Sequence, residues 1–374
     1  MKKEFNQYHI LFIVDHLKGG GAEKILLDTA TNLEKTGHQV TVVPLNHHEI
    51  KMDIPTNLNF IKESFNQCIC SGKLLRKRET PIADIEKINT IISDIQPDLI
   101  ILSHAFAFCL SDFISGNIWL WIHGEIFKSS RKQTNNPFRW YKEYRRHYLD
   151  KKYFIKLFDG KNIITVNQNL EKDYKRLLPH SQILTIYNGL DIKHIEQQKL
   201  IEAQKIWDCI FVGRLSQEKQ PEHAIRAFAK SEKAKNLLIV GEGDLKPSLQ
   251  DLCKQLNIES RVEFMGWVNN PYQYIQQSRL LISSSGSEGY GLVISEALYL
   301  DVPVIAYNVS DAISHQLSIA NLEENLVTPQ NIDELAEKID QNLNQTYRTS
   351  FEKKLLSNET MVNKFLNLIK NDHY

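Results

Sequence analysis

The chain has 374 residues, of which 42% are hydrophobic and 24% charged, and this length and composition indicate a globular protein of two domains rather than a disordered chain. Lys and Arg total 45, as do Asp and Glu, so the formal net charge is zero and does not favour binding of nucleic acid. No apolar run is long enough to cross a bilayer, and five scattered cysteines without a CxxC pair predict a reduced, cytoplasmic protein without a zinc or redox site.

The charge is divided unevenly along the chain. Residues 1–190 carry 26 basic against 20 acidic residues, a net charge of +6, and residues 191–374 carry 19 against 25, a net charge of −6. The N-terminal half is therefore the half expected to meet an acidic surface.

The first elements predict the start of a doubly wound α/β domain, with a buried strand over 9–14, a helix over 22–35 and a strand over 40–44. The glycine run before the helix is not GxGxxG, so it does not indicate a dinucleotide site. It would let the backbone of Gly20 and Gly21 approach a phosphate or an incoming sugar. The alternative is a flexible turn without a ligand.

The alternation continues with a helix over 83–95, a strand over 99–102, a helix over 106–114 and a strand over 118–122. His123 follows the last of these strands. Ligands of doubly wound sheets bind beyond the carboxyl ends of the strands, so this position makes His123 a candidate, although a lone histidine is more often structural.

Residues 128–156 are basic and aromatic. They contain ten Lys or Arg against two acidic residues, together with seven aromatic residues. A helix of this composition can lie on an anionic membrane surface with its aromatic rings at the headgroups. It can instead bind an anionic acceptor directly, or pack its aromatic side chains inward beneath a solvated basic face.

A strand over 162–166 ends the first domain, residues 191–207 form a connector, and a strand over 209–212 opens the second. Arg214 and Lys219 lie between that strand and a helix predicted over 222–230. Two cations at a strand end can hold a diphosphate and offset the charge that develops as it leaves. The alternative is a pair of surface cations without a ligand.

Strands are predicted over 237–240 and 262–265, with a helix over 249–256. The pattern of residues 283–306 then predicts a strand end, a tight loop, a helix and a further strand. The backbone N–H groups at the helix start favour an anion such as a diphosphate. Glu288 and Glu296 would accept hydrogen bonds from sugar or ribose hydroxyls. The alternative is that Glu288 is only a charge at the helix start and that Glu296 lies on a solvated face of the helix. Helical stretches over 332–342 and 351–369 follow.

Several segments in this order resemble the retaining, nucleotide-sugar-dependent glycosyltransferases of sequence family 4, or group 1. The segments are GGGAE at 19–23, HG at 123–124, YNGLD at 187–191, VGRL at 212–215 with Lys219, GEG at 241–243, MGWV at 265–268 and EGYGLVISE at 288–296. The resemblance implies the GT-B architecture, with two Rossmann-like domains facing across a cleft. It implies an acceptor-binding domain at 1–190, a nucleotide-sugar-binding domain at 191–350 and a helix at 351–374 that crosses back.

The resemblance also implies the roles of the site residues. The expected catalytic residues are His123, Arg214, Lys219 and Glu288. The expected donor-binding residues are Gly20, Gly21, Gly213, Gly266, Val268, Gly289, Tyr290, Gly291, Leu292 and Glu296. Family members of this architecture work without a divalent ion and the chain has no Asp-x-Asp motif, so neither a metal nor another cofactor is expected.

The implied reaction moves a hexose from a nucleotide-sugar, such as UDP-galactose or UDP-glucose, to a cell-surface glycan. Residues 265–277 are similar to bacterial lipopolysaccharide-core galactosyltransferases, which predicts a core acceptor and a peripheral location on the inner face of the membrane. Transferases for capsule, O-antigen or teichoic acid are alternatives, as is a non-catalytic partner subunit of the same fold. Nucleotide-sugar epimerases and phosphorylases share the architecture.

One segment departs from the family pattern. After residues 303–306 the family usually continues into a glycine-rich Gly-Pro-x-Glu segment, whereas residues 307–313 of this chain read YNVSDAI. The segment lies on the phosphate side of the expected site, so the departure concerns the preference for the donor or the strength of its binding.

Overall fold

The computed structural model describes residues 7–46, 48, 50–65, 69–71, 77–127, 137–345 and 351–370. The chain divides into two compact units, unit 1 (Met1–Gly189 with Asn358–Tyr374) and unit 2 (Leu190–Ser357). The sequence placed the first boundary at residue 190 and the second at residue 350. The second lies instead at Ser357, because residues 351–357 belong to unit 2.

Unit 1 is built on a parallel sheet of seven described strands, and a separate pair is antiparallel. The order in the sheet is β3-β2-β1-β6-β7-β8-β9, and β4 pairs with β5. The strands are β1 (His9–Val14), β2 (Gln39–Pro44), β3 (Asn59–Phe60), β4 (Ile69–Ser71), β5 (Lys77–Glu79), β6 (Leu99–Ser103), β7 (Ile118–Ile122), β8 (Asn162–Thr165) and β9 (Gln182–Thr185).

Four of the described helices of unit 1, those over 82–95, 105–110, 137–158 and 168–177, pack on this sheet through a continuous apolar cluster. The first helix also packs against the last one, where the Thr29 hydroxyl lies 3.9 Å from the Met361 sulfur. The described helices are α1 (Gly21–Lys35), α2 (Ile82–Ile95), α3 (Ala105–Leu110), α4 (Pro137–Phe158), α5 (Gln168–Leu177) and, from the chain end, the helix Asn358–Lys370. The predicted helix over 106–114 therefore ends early, and the terminal helix begins at Asn358 rather than at 351.

Unit 2 repeats the architecture with six parallel strands in the order β12-β11-β10-β13-β14-β15. Two apolar clusters cover its two faces. The strands are β10 (Trp207–Val212), β11 (Leu237–Val240), β12 (Val262–Gly266), β13 (Ser278–Ser283), β14 (Val304–Tyr307) and β15 (Leu326–Val327).

The predicted connector over 191–207 contains the first helix of unit 2. The Asp191 carboxylate caps the N-terminus of this helix by accepting a hydrogen bond from His194 N at 3.1 Å. The helices of the unit are α6 (Ile192–Gln198), α7 (Pro221–Lys230), α8 (Lys246–Gln255), α9 (Tyr272–Gln276), α10 (Leu292–Tyr299), α11 (Asp311–Ile319) and α12 (Ile332–Leu343), so the helix Asn358–Lys370 of unit 1 becomes α13.

Strand order fixes where a ligand can bind. In unit 1 the order reverses between β1 and β6, and in unit 2 between β10 and β13. Open parallel sheets bind ligands beyond the carboxyl ends of the strands at such a switch point. The predicted doubly wound α/β class is confirmed. Arg214 follows β10, Glu288 follows β13 and His123 follows β7 next to β6, so each of them lies in or beside a switch point.

Candidate active site

In unit 2, backbone hydrogen bonds join the loops that follow β10, β11 and β12. Gly213 N donates to Val240 O at 3.0 Å, and Gly241 N donates to Gly266 O at 2.8 Å. A Cβ atom on Gly241 would lie 1.9 Å from Gly213 O, and one on Gly243 would lie 2.3 Å from Leu215 O. Glycine is therefore required at 241 and 243, and the backbone around Gly213 and Gly266 is held in place.

The cations Arg214 and Lys219 differ in their surroundings. Arg214 is exposed, and none of the described residues forms a hydrogen bond or ion pair with its side chain. Lys219 is partly buried and donates to Glu288 Oε2, which also accepts from the Ser285 hydroxyl at 3.2 Å. The structure therefore brings together a cation and a carboxylate that the sequence assigned to different parts of the donor.

The loops that carry this ion pair are fastened to each other. Gly286 N donates to Glu218 O at 2.8 Å, and the Ser284 hydroxyl donates to Gln220 O at 2.9 Å. These bonds connect the turn before α7 to the turn after β13. The Lys219–Glu288 pair is held by backbone contacts on both sides, so its geometry does not depend on the two side chains alone.

The N-terminus of α10 follows directly. Its N-cap is Gly291, at a φ of +84° that favours glycine, and no side chain caps it. The first turn contains no acidic residue. The first N–H groups of a helix have no partner within the helix and carry its positive dipole end, so the backbone at Leu292 is suited to an anion.

A buried amide on α11 holds the turn before α10. Gln316 Nε2 donates to Tyr290 O at 2.5 Å, and Gln316 Oε1 accepts from the Ser295 hydroxyl at 2.5 Å. The side chain of Gln316 is fully buried. The Tyr290 side chain is also buried, and its burial raises the pKa of the phenol to about 12. Gln316 was not among the residues predicted from the sequence, and it lies just after the segment that departs from the family pattern. No sequence signal marks a glutamine as the partner of a distant turn.

Glu296 is the fifth residue of α10 and is only 5% exposed. Residues four apart share a helix face, so Glu296 lies one turn beyond Leu292 on the same side of α10. The alternative interpretation of Glu296 as part of a solvated face is wrong, because the side chain is buried. A buried carboxylate at this position is suited to accept hydrogen bonds from hydroxyl groups.

In unit 1, His123 contacts two residues that the sequence analysis did not select. His123 is half-buried at the end of β7, and its Nε2 lies 3.1 Å from the Ser103 hydroxyl, which also lies 3.1 Å from His104 Nδ1. Burial and the neighbouring His104 hold the pKa of His123 well below its usual value, so the ring is neutral at pH 7. Its Nδ1 has no hydrogen-bond partner in the described part of the chain.

The glycine run of unit 1 lies against an acidic side chain. Gly20 is the N-cap of α1, and a Cβ atom on Gly20 would lie 2.3 Å from Glu23 Oε2. Glu23 is buried, and its Oε1 lies 3.2 Å from His16 Nδ1. A carboxylate repels phosphate and accepts from hydroxyls. Of the two ligands predicted at Gly20 and Gly21, the sugar therefore fits this position better than the phosphate.

The described residues contain no group of three His, Cys, Asp or Glu side chains placed to hold a metal ion. Within the same residues, no helix combines the length and apolarity that a bilayer span requires.

Comparison with protein-family models gives two matches that meet at the boundary between the units. Residues 19–194 match the model described as Glycosyltransferase Family 4, and residues 192–357 match the model described as Glycosyl transferases group 1. The chain therefore carries a Glycosyltransferase Family 4 domain followed by a Glycosyl transferases group 1 domain, and these two matches confirm the predicted family 4 and group 1 domains.

Curated relatives match over part of their length. An uncharacterized glycosyltransferase of Methanocaldococcus jannaschii is 31% identical over 66% of this chain and 63% of its own. The N-acetylgalactosamine-N,N'-diacetylbacillosaminyl-diphospho-undecaprenol 4-alpha-N-acetylgalactosaminyltransferase of Campylobacter jejuni is 36% identical over 32% of this chain and 33% of its own. The chain thus spans less than two thirds of the length of these relatives.

Among solved structures, Anabaena HepE in complex with UDP and glucose superposes with a TM-score of 0.69 at 20% identity, over 98% of this chain and 99% of that one. At this identity the likeness concerns the fold. It confirms the predicted GT-B architecture.

Proposed function

We propose that this glycosyltransferase moves a hexose from a UDP-sugar to a cell-surface glycan, with retention at the anomeric carbon and without a metal ion. The observation that carries the proposal is the grouping at one switch point of Arg214, the Lys219–Glu288 pair and the uncapped N-terminus of α10. This grouping provides positive potential for a diphosphate and a carboxylate for hydroxyl groups.

The leaving diphosphate needs stabilisation that a metal supplies in other transferases. Arg214 has no partner of its own among the described residues, so it can bind a phosphate without breaking an existing contact. Lys219 would turn from Glu288 to a phosphate oxygen while Glu288 accepts from sugar hydroxyls. The backbone at Leu292 would add the dipole of α10.

The donor proposal rests on two supports. Glu296 is a buried acceptor one turn inside α10, as a ribose contact requires. The structural relative HepE is described as a complex with UDP and glucose. We propose that Glu296 binds the ribose, that Gly266 and Val268 contact the base through their backbone, and that His123 contacts the hexose.

The acceptor proposal rests on weaker similarity. The Campylobacter relative is named for transfer to a sugar on diphospho-undecaprenol, which is a lipid-linked glycan. The 265–277 segment favours the lipopolysaccharide core and a galactosyl or glucosyl donor. An acceptor panel that includes core, O-antigen, capsule and teichoic-acid intermediates would separate these classes.

The direct test combines UDP-galactose and UDP-glucose with that panel in EDTA and follows UDP release. We expect release that depends on the acceptor, and an α-linked product identified from its anomeric proton coupling. Conversion of the donor without any acceptor would indicate an epimerase. Absence of turnover with every acceptor would favour a non-catalytic partner subunit.

Helix α4 provides a second surface for which we propose a partner. Among its described side chains, four aromatic ones are exposed between residues 138 and 148, at spacings of three, three and four residues that place them on one helix face. They are Phe138, Tyr141, Tyr144 and Tyr148. Near its C-terminus, by contrast, Phe154 and Phe158 are fully buried.

Exposed cations accompany the exposed aromatic rings of α4. They form no ion pair with the described residues, and they are Lys142, Arg145, Lys151, Lys152 and Lys156. Residues 128–136, which complete the basic stretch, lie outside the described residues. We infer that this face of α4 lies on an anionic membrane, with the rings at the headgroup level, which would place the enzyme on the inner face of the cell membrane.

Sedimentation with lipid vesicles tests this surface. We expect the enzyme to bind vesicles that contain phosphatidylglycerol, to bind phosphatidylcholine vesicles poorly, and to dissociate in high salt. A double variant, Tyr141→Ser with Tyr148→Ser, should lose binding, whereas Phe113→Ser removes another exposed ring of unit 1 and should not. Equal binding of the double variant and the native enzyme would exclude the membrane as the partner of α4.

A further inference from the structure

Two helices of unit 2 begin at residues with a left-handed backbone. Gly291, the N-cap of α10, has a φ of +84° and a ψ of +63°, and Gln220, the N-cap of α7, has a φ of +47° and a ψ of +50°. Among the N-caps that the structure describes, only these two are left-handed. N-cap residues normally adopt the extended region, and glycine is the residue that accepts the left-handed one. The glutamine at 220 is therefore the exception.

The other left-handed side chains do not provide an explanation for Gln220. Positive φ angles are also found just after helices, at Gln96, Asn257, Asp301 and Asn321. A left-handed residue commonly ends a helix, because it satisfies the last carbonyl groups. Gln220 instead precedes a helix, and its side chain makes no capping hydrogen bond. Helix capping therefore does not account for a glutamine at this position.

The backbone of Gln220 is fixed within the candidate active site. Gln220 N donates to Ser216 O at 3.2 Å, and Gln220 O accepts from the Ser284 hydroxyl at 2.9 Å. The residue directly follows Lys219, whose ammonium group donates to Glu288. Gln220 thus lies between the loop that follows β10 and the loop that follows β13, which carry the cation and the carboxylate of the site.

The side chain of Gln220 lies against Gly286. A Cβ atom on Gly286 would lie 2.9 Å from Gln220 Nε2 and 3.2 Å from its Oε1, so the amide occupies the space of a side chain at 286. The Oε1 atom is buried and has no hydrogen-bond partner in the described part of the chain. Nε2 also has no partner among the described residues, but it is not buried, so it reaches solvent. The amide therefore offers its N–H groups beside Lys219.

The accessible end of the amide determines the kind of ligand atom that it suits. With Oε1 buried, the side chain can donate hydrogen bonds but cannot accept them from a ligand. A sugar hydroxyl both donates and accepts, whereas a phosphate oxygen only accepts. Next to Lys219, a group that only donates matches an oxygen that only accepts.

We propose that Gln220 is a further donor-binding residue, whose Nε2 donates a hydrogen bond to a phosphate oxygen of the nucleotide-sugar. The proposal rests on the proposed function, in which this switch point binds the diphosphate. Lys219 is paired with Glu288 in the structure and must leave that partner to reach a phosphate, whereas the Gln220 amide has no contact to break. A ligand contact also explains why a side chain is retained where the backbone favours glycine.

Calorimetry with UDP and uridine in EDTA tests the contact. Gln220→Met keeps the length of the side chain and the left-handed backbone but removes the N–H donors. Its Kd for UDP should rise about tenfold, the effect of one hydrogen bond to a charged group, and its Kd for uridine, which lacks phosphates, should not change. Unchanged UDP affinity, or an equal loss for uridine, would overturn the proposal. Absence of UDP binding by the native enzyme would overturn the proposed function as well.

A pair of glycine variants separates the side chain from the backbone. Gln220→Gly relieves the left-handed conformation, so its thermal midpoint should rise by about 2 °C, while its Kd for UDP rises as in Gln220→Met. Gln96 has the same φ of 47° in unit 1, and Gln96→Gly should raise the midpoint without changing the Kd. A Gln220→Gly variant that is more stable and binds UDP as tightly as the native enzyme would overturn the proposal, even if Gln220→Met does not fold.

Discussion

In unit 2 the strand-end loops approach one another through glycines and carry fixed charges, whereas in unit 1 the strand ends carry neutral histidines joined by a buried hydroxyl. The difference matches the proposed binding of the two parts of a nucleotide-sugar. A diphosphate is bound by backbone N–H groups and cations, which glycine-rich loops expose. A sugar is bound by neutral donors and acceptors, which side chains at strand ends provide.

The largest effect should come from the charges of unit 2. Arg214→Ala should lower kcat by about 10²–10³-fold, the range found when one stabilising donor of a developing oxyanion is removed. The circular dichroism spectrum should not change, because the exposed Arg214 side chain forms no hydrogen bond or ion pair with the described residues. Lys230→Ala removes a cation that is paired at the surface with Asp333 and serves as the matched control. Full activity of Arg214→Ala would remove it from the site.

A smaller effect is expected from the buried carboxylate of α10. Glu296→Gln keeps the size of the side chain but weakens its acceptance of hydrogen bonds, so the Kd for UDP should rise about tenfold to a hundredfold. Calorimetry with uridine separates the ribose contact from the diphosphate contact, since uridine lacks the phosphates. If both affinities are unchanged, Glu296 does not bind the ribose.

Gln316 differs from the rest of the unit 2 site, because it supports the turn before α10 through its side chain, whereas the neighbouring loops are joined mainly by backbone hydrogen bonds. Gln316→Met keeps the volume but leaves the Ser295 hydroxyl and Tyr290 O without their buried partner, which should cost about 1–3 kcal/mol of stability. The affinity for UDP should also fall, since the turn before α10 loses its support. Thermal unfolding with and without UDP measures both effects. A loss of stability at unchanged affinity would limit Gln316 to a structural role.

The smallest effect concerns the pH dependence of unit 1. The pKa of His123 is lowered by burial in the folded chain and returns to about 6.5 in the unfolded chain. Below pH 6.5 the unfolded chain binds a proton that the folded chain does not, so stability is present above this pH and is lost as the pH falls. The slope should reach up to about 1.4 kcal/mol per pH unit for this group.

Urea unfolding between pH 7.5 and 5 measures that slope. His123→Gln should flatten it in the acid range and change little above pH 7, while His223→Gln in unit 2 provides the comparison with another histidine of lowered pKa. An identical pH dependence of the native chain and the His123→Gln variant would show that His123 is not kept neutral by the fold.

The sequence predicted the fold and the loops of unit 2 better than the side-chain contacts of unit 1. Alternating apolar runs and glycine loops are local signals, and they placed β1 and β7 within their observed bounds and the Glu288 loop between β13 and α10. The contacts of Ser103 and Gln316 are not local. Ser103 meets His123 only because β6 pairs with β7, and no pattern in the sequence states that pairing.

The exposure of the aromatic side chains of α4 is a second feature that the sequence does not determine. Its aromatic residues suit either an exposed membrane surface or an inward-packed face, and composition alone does not choose between them. The choice depends on how the helix lies against the sheet. In the structure its two ends differ, with Tyr141 and Tyr148 exposed and Phe154 buried in the core of unit 1.

The central claim is that unit 2 binds a nucleoside diphosphate through Arg214, Lys219 and the start of α10 without a metal ion. Calorimetric titration of the enzyme with UDP, GDP and ADP in EDTA tests it most directly. We predict tight binding of UDP, weaker binding of the other two, and no gain when manganese replaces the chelator. Absence of binding by all three, or binding of UDP only when manganese is present, would contradict the claim.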